Sequence, residues 1–417
     1  MIALDNPYVL IIAASIIVIV SYGFNSLNRA RNIPSVLLLI LFGILVQVGF
    51  KIADIKIPDL FGILEVLGIV GLIMIVLEGA LDLELKKEKW PIIWKSFSVA
   101  LLGLASCIFA IGYLLQYLLN IDLFTAVLYA IPISIVSSAI VIPSVSNLSE
   151  KKREFMIYES TFSDIIGIMV FYFLLGSLEA ETASEISWSI VSNVLITVGI
   201  SLVISYSLIF VFQNLTSQIK LFLLISVLLL LYSVGKMFHL SSLIIILIFG
   251  LVLHNHKVFF KGFLKKYKKD IEIVSMIKNF KMVTAETSFI VRTFFFVIFG
   301  ITITLSSLID FKVLLTSLAI LAIIFGLRFV LIKLFLWKDI FPEAIIAPRG
   351  LITILLFFAI PEEFVIQEFE SGILLYIILL SSLIMAIAMI KKSSNKVNDE
   401  LEQLIEEDTT TNNLTND

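Results

Sequence analysis

The chain of 417 residues is 59% AVILMFWYC and only 15% charged, with a mean hydropathy of +1.08, whereas soluble domains are about 45–50% apolar and roughly 25% charged. Too little polar surface is available to cover a water-soluble particle of this size, which excludes a soluble enzyme, a nucleic-acid binder and a disordered chain. The net charge of −3 points to no polyanionic partner, and the chain reads as an all-α polytopic membrane protein.

A span needs about 20 mostly apolar residues. On that ruler the chain offers about thirteen, near 8–24, 33–50, 61–81, 91–118, 123–147, 157–176, 188–212, 219–235, 240–256, 284–305, 311–335, 342–361 and 371–390. No basic residue precedes the first, and Arg29 and Arg31 follow it, so it reads as an uncleaved span rather than a secretory signal. The single cysteine, Cys107, lies inside the fourth and allows no intrachain disulfide.

The connections alternate in sign. Arg29/Arg31, Lys86/Lys87/Lys89/Lys95, Lys151/Lys152/Arg153, Lys220, the stretch Lys257 to Lys281, Lys338 and Lys391/Lys392/Lys396 fall on one side. The other side has Lys51, Lys56, Lys236 and Lys312, with acidic runs at 179–185 and 361–370. A basic excess marks the cytoplasmic face, so the N-terminus is expected outside and the C-terminus inside, as an odd span count requires. The stretch with KGFLKKYKKD is expected as a surface helix against anionic lipid. Residues 1–392 form the expected membrane domain. The acidic, threonine-rich 393–417 is the expected disordered cytoplasmic tail. Nothing resembles a Walker A loop, so no machinery for ATP coupling is visible.

The fifth span carries Pro132, Pro143 and a central Ser137-Ser138, and the twelfth carries Pro348-Arg349-Gly350. Proline removes a donor and glycine permits unusual dihedrals, so both helices are expected to break where backbone can face a cavity. With the seventh span as a linker, spans one to six and eight to thirteen make two halves, and each broken helix is the fifth of its half. Matched broken helices are the sequence pointer to a secondary transporter of inverted repeats with a site at the midplane.

Ionisable residues inside spans are costly unless they face water or a partner. They are Glu78, Glu159, Asp164, Arg292, Arg328 and Arg349, with Glu65 near an outer end and able to snorkel. Asp164 stands out. Ser160 precedes it by four residues and shares its helix face, so both can turn oxygen toward one hard cation such as sodium. A single carboxylate on a cavity binds a cation or a proton, which is the competition an exchanger needs. Glu159 lies about 140° around the helix from Asp164 and is expected in a structural role, with Arg349 as its buried partner. Arg292 is expected to steady a carboxylate or the broken helix ends, and Arg328, near Lys333, to anchor at lipid headgroups. His239, His254 and His256 fall near span ends, and no arrangement for nucleophilic or metal catalysis accompanies them, so no enzyme is expected.

LEGALDLELKK (77–87), ESTFSD (159–164), IFGLVLHN (248–255), RTFFFVIFG (292–300) and APRGLIT (347–353), with IPSVLLLILFGILVQ (33–47), resemble in this order segments of the monovalent cation/proton antiporter superfamily, its sodium/proton exchangers in particular. LEGALD is similar to a Phe-Glu-Gly-Gly-Leu type run, and ESTFSD to a Glu-Ser-x-x-Asn-Asp signature. The resemblance implies a homodimer with a dimerisation part and a core part carrying two crossed, unwound helices. It makes Asp164 the ion- and proton-binding carboxylate and Ser160 a nearby ligand. It makes Glu159–Arg349 a structural bridge and Glu78 an acidic residue near a cytoplasmic funnel.

Two positions depart from that pattern. Ser163 stands where the family has Asn, and Ser137-Ser138-Ala139 stands about where a Thr-Asp-Pro run is expected, which removes the charge that would cap the broken helix ends. With one core carboxylate, exchange is expected to be one-for-one and electroneutral. The reading is a sodium/proton antiporter of the inner membrane with no cofactor, its partners being monovalent cations, protons, the bilayer and a second copy. The alternatives are potassium/proton exchange and a transport-inactive sensor or scaffold of the same fold.

Overall fold

The computed structural model describes residues 7–31, 33–55, 60–176, 183–214, 220–237, 242–260, 270–303, 310–337, 340–366, 369–370 and 372–391. The tail at 393–417, Lys56, His239, Lys338 and the middle of the long basic connection lie outside the described residues. Among the described residues all regular structure is helical.

The chain begins with α1 (Pro7–Arg31), α2 (Ser35–Ile52), α3 (Phe61–Asp82) and α4 (Trp90–Leu119). The fifth expected span is two helices, α5 (Leu123–Ser134) and α6 (Ser138–Ser144). Then come α7 (Glu150–Gly176), α8 (Ala183–Asn214), α9 (Lys220–Met237), α10 (Ser242–His254), the short α11 (His256–Phe259), α12 (Asp270–Thr302) and α13 (Phe311–Leu336). The twelfth expected span contains only α14 (Leu351–Phe358), and α15 runs from Gly372 to Lys391.

Among the described residues, 10 stretches are helical, long and apolar enough to cross a membrane, with α5 and α6 counted together. The apolar helical parts of the eighth and ninth expected spans are shorter, Phe222–Gly235 and Ser242–His254. The first half of the twelfth is irregular. Helix starts follow local chemistry. Asp122 accepts a hydrogen bond from the Thr125 amide at 2.8 Å and Asp310 one from the Lys312 amide at 2.7 Å, so each caps the free donors of the helix that follows it. α7 and α12 start before their apolar stretches, because Glu150-Lys151-Lys152-Arg153 and the residues after Asp270 continue the helix beyond the bilayer core.

The helices pack in two groups. In one, α12 lies against α2 and α3, and α10 against α3, α8 and α9. In the other, α4 lies against α5, α7 and α13, with α14 against α5 and α7. Lipid offers no hydrophobic drive for helices to associate, so close van der Waals contact must hold them. At the α2–α12 crossing, Gly43 and Gly300 meet: a Cβ on Gly43 would lie 3.0 Å from the Gly300 Cα and closer still to the Val297 carbonyl oxygen. A larger residue at either position pushes the two backbones apart. The groups touch along α3–α7, α3–α14 and α12–α14, and the two interrupted segments lie on this seam.

Candidate functional site

The first interruption is local chemistry. α5 ends at Ser134, and Ile135 and Ser137 are extended (φ −72°, ψ 130° and φ −77°, ψ 113°) before α6 starts at Ser138. Ser134 and Ser144 hydroxyls bond back to the carbonyls of Ala130 and Ile140, the competition with backbone that weakens a helix. Pro143 has no amide for the Ala139 carbonyl one turn earlier. Arg292 of α12 reaches across the seam and donates to that carbonyl at 3.1 Å.

The second interruption crosses the first. After turns at 341–345 the backbone is irregular to Gly350, and the Pro348 carbonyl accepts a hydrogen bond from the Ser137 amide at 2.9 Å. A Cβ at Gly350 would lie 2.6 Å from the Ser137 hydroxyl oxygen, so the close crossing requires glycine there.

Two charges meet the ends of the broken helix. Arg349, 1% exposed, donates to the Ile133 and Ser134 carbonyls at 2.8 and 3.0 Å, and to its neighbour Ala347 at 2.6 Å. Its amide donates to the Ser381 hydroxyl of α15 at 3.1 Å. It therefore supplies positive charge and donors to the carbonyl end of α5. Asp164 of α7, 3% exposed, accepts the Ser138 amide at 3.1 Å through Oδ2, so a carboxylate faces the positive end of α6. The cap that a Thr-Asp-Pro run would have supplied comes from other segments. Ser163 accepts the Val136 amide at 2.9 Å, and the hydroxyl at the position of the missing Asn thus pins the extended segment to α7.

Asp164 Oδ1 is buried with no hydrogen-bond partner among the described residues, and the same holds for Ser137 Oγ, Thr161 Oγ1 and Thr353 Oγ1. Thr161 is one helical turn before Asp164, Ser137 lies in the first interruption, and Thr353 follows the second. Orphaned buried oxygens are rare because each costs about 1–3 kcal/mol. A carboxylate and hydroxyls are the donor set of a hard cation. Ser160 is different: its hydroxyl donates to the Met156 carbonyl of its own helix at 2.8 Å and is satisfied there. Thr161 lies three residues before Asp164 on the face that Ser160 shares, whereas Thr353 has no local signal of its own in the sequence.

The expected Glu159–Arg349 bridge is corrected. Glu159 pairs with Arg328 of α13 through two hydrogen bonds of 2.7 and 3.0 Å, and Arg328 also donates to the Glu343 carbonyl at 3.0 Å. Each of the three guanidinium nitrogens of Arg349 donates instead to a backbone carbonyl. Arg328 is 6% exposed, not a headgroup anchor, because a buried carboxylate on the far face of α7 needs a charged partner. Between this pair and the crossing lies a cavity of about 20 Å³, bordered by Ser163, Arg349 and Cys107, with room for a single water. On the other side of the seam Glu78 of α3 lies 3.9 Å from Arg292, so Arg292 meets both a carboxylate and a broken helix. Glu65 is exposed.

A family model described as sodium/hydrogen exchanger, transmembrane, matches residues 12–391. Two solved structures of the sodium proton antiporter MjNhaP1 from Methanocaldococcus jannaschii have the same fold. The structure at pH 8 superposes with a TM-score of 0.68 at 21% identity, covering 91% of this chain and 98% of that one. The electron-microscopy structure gives 0.64 at 19% identity, covering 94% and 97%. No curated protein matches the sequence.

Proposed function

This chain belongs to the sodium/hydrogen exchanger family, and from that premise we propose that it exchanges sodium ions for protons across the cytoplasmic membrane, Asp164 holding one or the other in turn. The observation that carries this reading is the unpartnered Oδ1 of Asp164, buried beside the crossing of two interrupted segments. Oδ2 is committed to the Ser138 amide, which holds the carboxylate in one orientation and leaves Oδ1 to the substrate. A sodium ion there takes oxygen from Asp164 and from the Ser137 and Thr161 hydroxyls, and a proton on Oδ1 expels it. Arg349 is spent on the carbonyl end of α5 and Glu159 on Arg328, so one carboxylate carries one sodium or one proton and the exchange is one-for-one.

Access alternates as the group of α4, α5, α6, α7, α13 and α14 moves against the group of α2, α3 and α12. The seam between the two groups supports this division, since among the described residues it carries few side-chain bonds beyond Arg292 to the Ala139 carbonyl and those of the α3–α4 connection. On the charge bias the basic connections face the cytoplasm, and on the family resemblance the working unit is a homodimer.

The experiment is sodium-driven proton movement in proteoliposomes holding an internal pH dye, with the membrane potential clamped. Wild type should show a saturable pH change, and Asp164→Asn, folded and inserted, should show none. Exchange by the Asn variant, or a response to potassium and not to sodium, contradicts the reading.

A further inference from the structure

On the basic face a cavity of about 490 Å³ opens between the first turns of α4 and α7, the end of α13 and Glu343. That lies within the roughly 300–1,000 Å³ of small-molecule sites. Four lysines border it. Lys152 is held by Glu343 at 2.9 Å, and Lys89 by Glu84 and Glu154 at 2.9 and 2.7 Å. Lys95 and Lys151 make no ion pair among the described residues, and of the bordering carboxylates only Glu88 is likewise uncommitted. The balance is positive. The positive ends of α4 and α7 add to it, and no side chain caps α4.

Two further features describe the occupant. Pro91, Ile92, Phe155 and Leu336 give the cavity an apolar part, which a bare anion does not use. Three of the 4 tryptophans adjoin bordering residues in sequence: Trp90, Trp94 and Trp337, exposed by 61%, 59% and 81%. Exposed tryptophan marks the headgroup level of a bilayer. The mouth of the cavity therefore sits where phospholipid phosphates sit, against the more anionic leaflet.

We infer that this cavity holds the phosphate headgroup of an anionic phospholipid, with Lys95 and Lys151 on the phosphate and the glycerol end against the apolar part. The site is separate from the crossing of the interrupted segments and stands whether or not the chain carries sodium. The test is native mass spectrometry of the full chain in detergent, with added phosphatidylglycerol, phosphatidylcholine or inorganic phosphate. Wild type should retain phosphatidylglycerol in preference to phosphatidylcholine. Lys95→Gln with Lys151→Gln should weaken retention at least tenfold, since each lysine at an anionic lipid surface contributes about fivefold. Lys95→Arg with Lys151→Arg should restore it, while Lys51→Gln with Lys312→Gln, on the opposite face, should leave it unchanged. Equal retention of the two lipids by wild type, or full retention by the glutamine pair, overturns the proposal. Displacement of phosphatidylglycerol by an equal concentration of inorganic phosphate also overturns it and makes the free anion the ligand.

Discussion

Asp164 and Arg349 divide the two ends of one broken helix between them, the carboxylate at the amide end of α6 and the guanidinium at the carbonyl end of α5. The charged helix ends are thus neutralised from α7 and from the second interruption, and the serines of the break itself need carry no charge. On the proposed function, the orphaned hydroxyls are the ones that bind the ion and the satisfied ones are structural. Thr161→Val keeps the shape of the side chain and removes one cation oxygen, so the KM for sodium should rise about tenfold, the effect of one hydrogen-bond-strength ligand of about 1.4 kcal/mol. Ser160→Ala removes a hydroxyl bound to its own helix and should change KM by less than about twofold. Initial rates in proteoliposomes separate the two. Glu159 and Arg328 belong to the second class. Glu159→Gln should destabilise the protein by about 3–5 kcal/mol because it strands a buried guanidinium, while Glu159→Leu with Arg328→Met should recover most of that. Thermal unfolding in detergent reads the cycle, and additive losses would show that the pair is not a unit.

At the scale of the element, a proline does more than bend α6. Pro143 withdraws the amide that the Ala139 carbonyl would otherwise use, and Arg292 enters from the neighbouring group to replace it. α6, only 7 residues long, is therefore tied to α12 through a missing hydrogen bond. Arg292→Met leaves that carbonyl unpaired and should cost about 1–3 kcal/mol. Adding Pro143→Ala restores an amide and should recover part of the loss, read as melting temperature. If the double variant is no better than the single, the coupling is absent. The connection from α3 to α4 is a second tie between groups. Its Leu83 carbonyl and Leu85 amide are held by Asn255 at 2.8 and 2.7 Å, and its Glu84 carbonyl by Tyr158 at 2.8 Å. Hydrogen bonds from Lys86 and Lys89 hold the Glu84 carboxyl down at about 2, so Glu84 keeps its charge across the physiological range.

At the scale of the molecule, what could be read from the chain follows a physical division. Both interruptions and the burial of a carboxylate at Asp164 depend on local backbone chemistry and on the cost of charge in lipid, and the sequence states both directly; Arg292, expected at a carboxylate or at the broken helix, meets both. The partner of Glu159 depends on which helix packs behind α7, and Arg328 is 169 positions away, so composition and spacing pointed to the wrong arginine. Ser160 and Thr161 both share a face with Asp164. Only the packed structure distinguishes the hydroxyl satisfied within its helix from the one left without a partner among the described residues. The stretches that reach crossing length follow from apolar length alone, whereas the irregular half of the twelfth expected span takes its shape from its crossing with the fifth.

The central claim is that sodium and a proton compete for one carboxylate oxygen, and the direct measurement is the apparent KM for sodium as a function of pH in proteoliposomes with symmetric pH. Competition at Asp164 predicts that KM rises as pH falls, approaching tenfold per pH unit on the acid side, while the maximal rate at saturating sodium stays constant. A KM that does not move with pH while the maximal rate falls would contradict the account, because it would place the proton on a group other than the one that holds sodium.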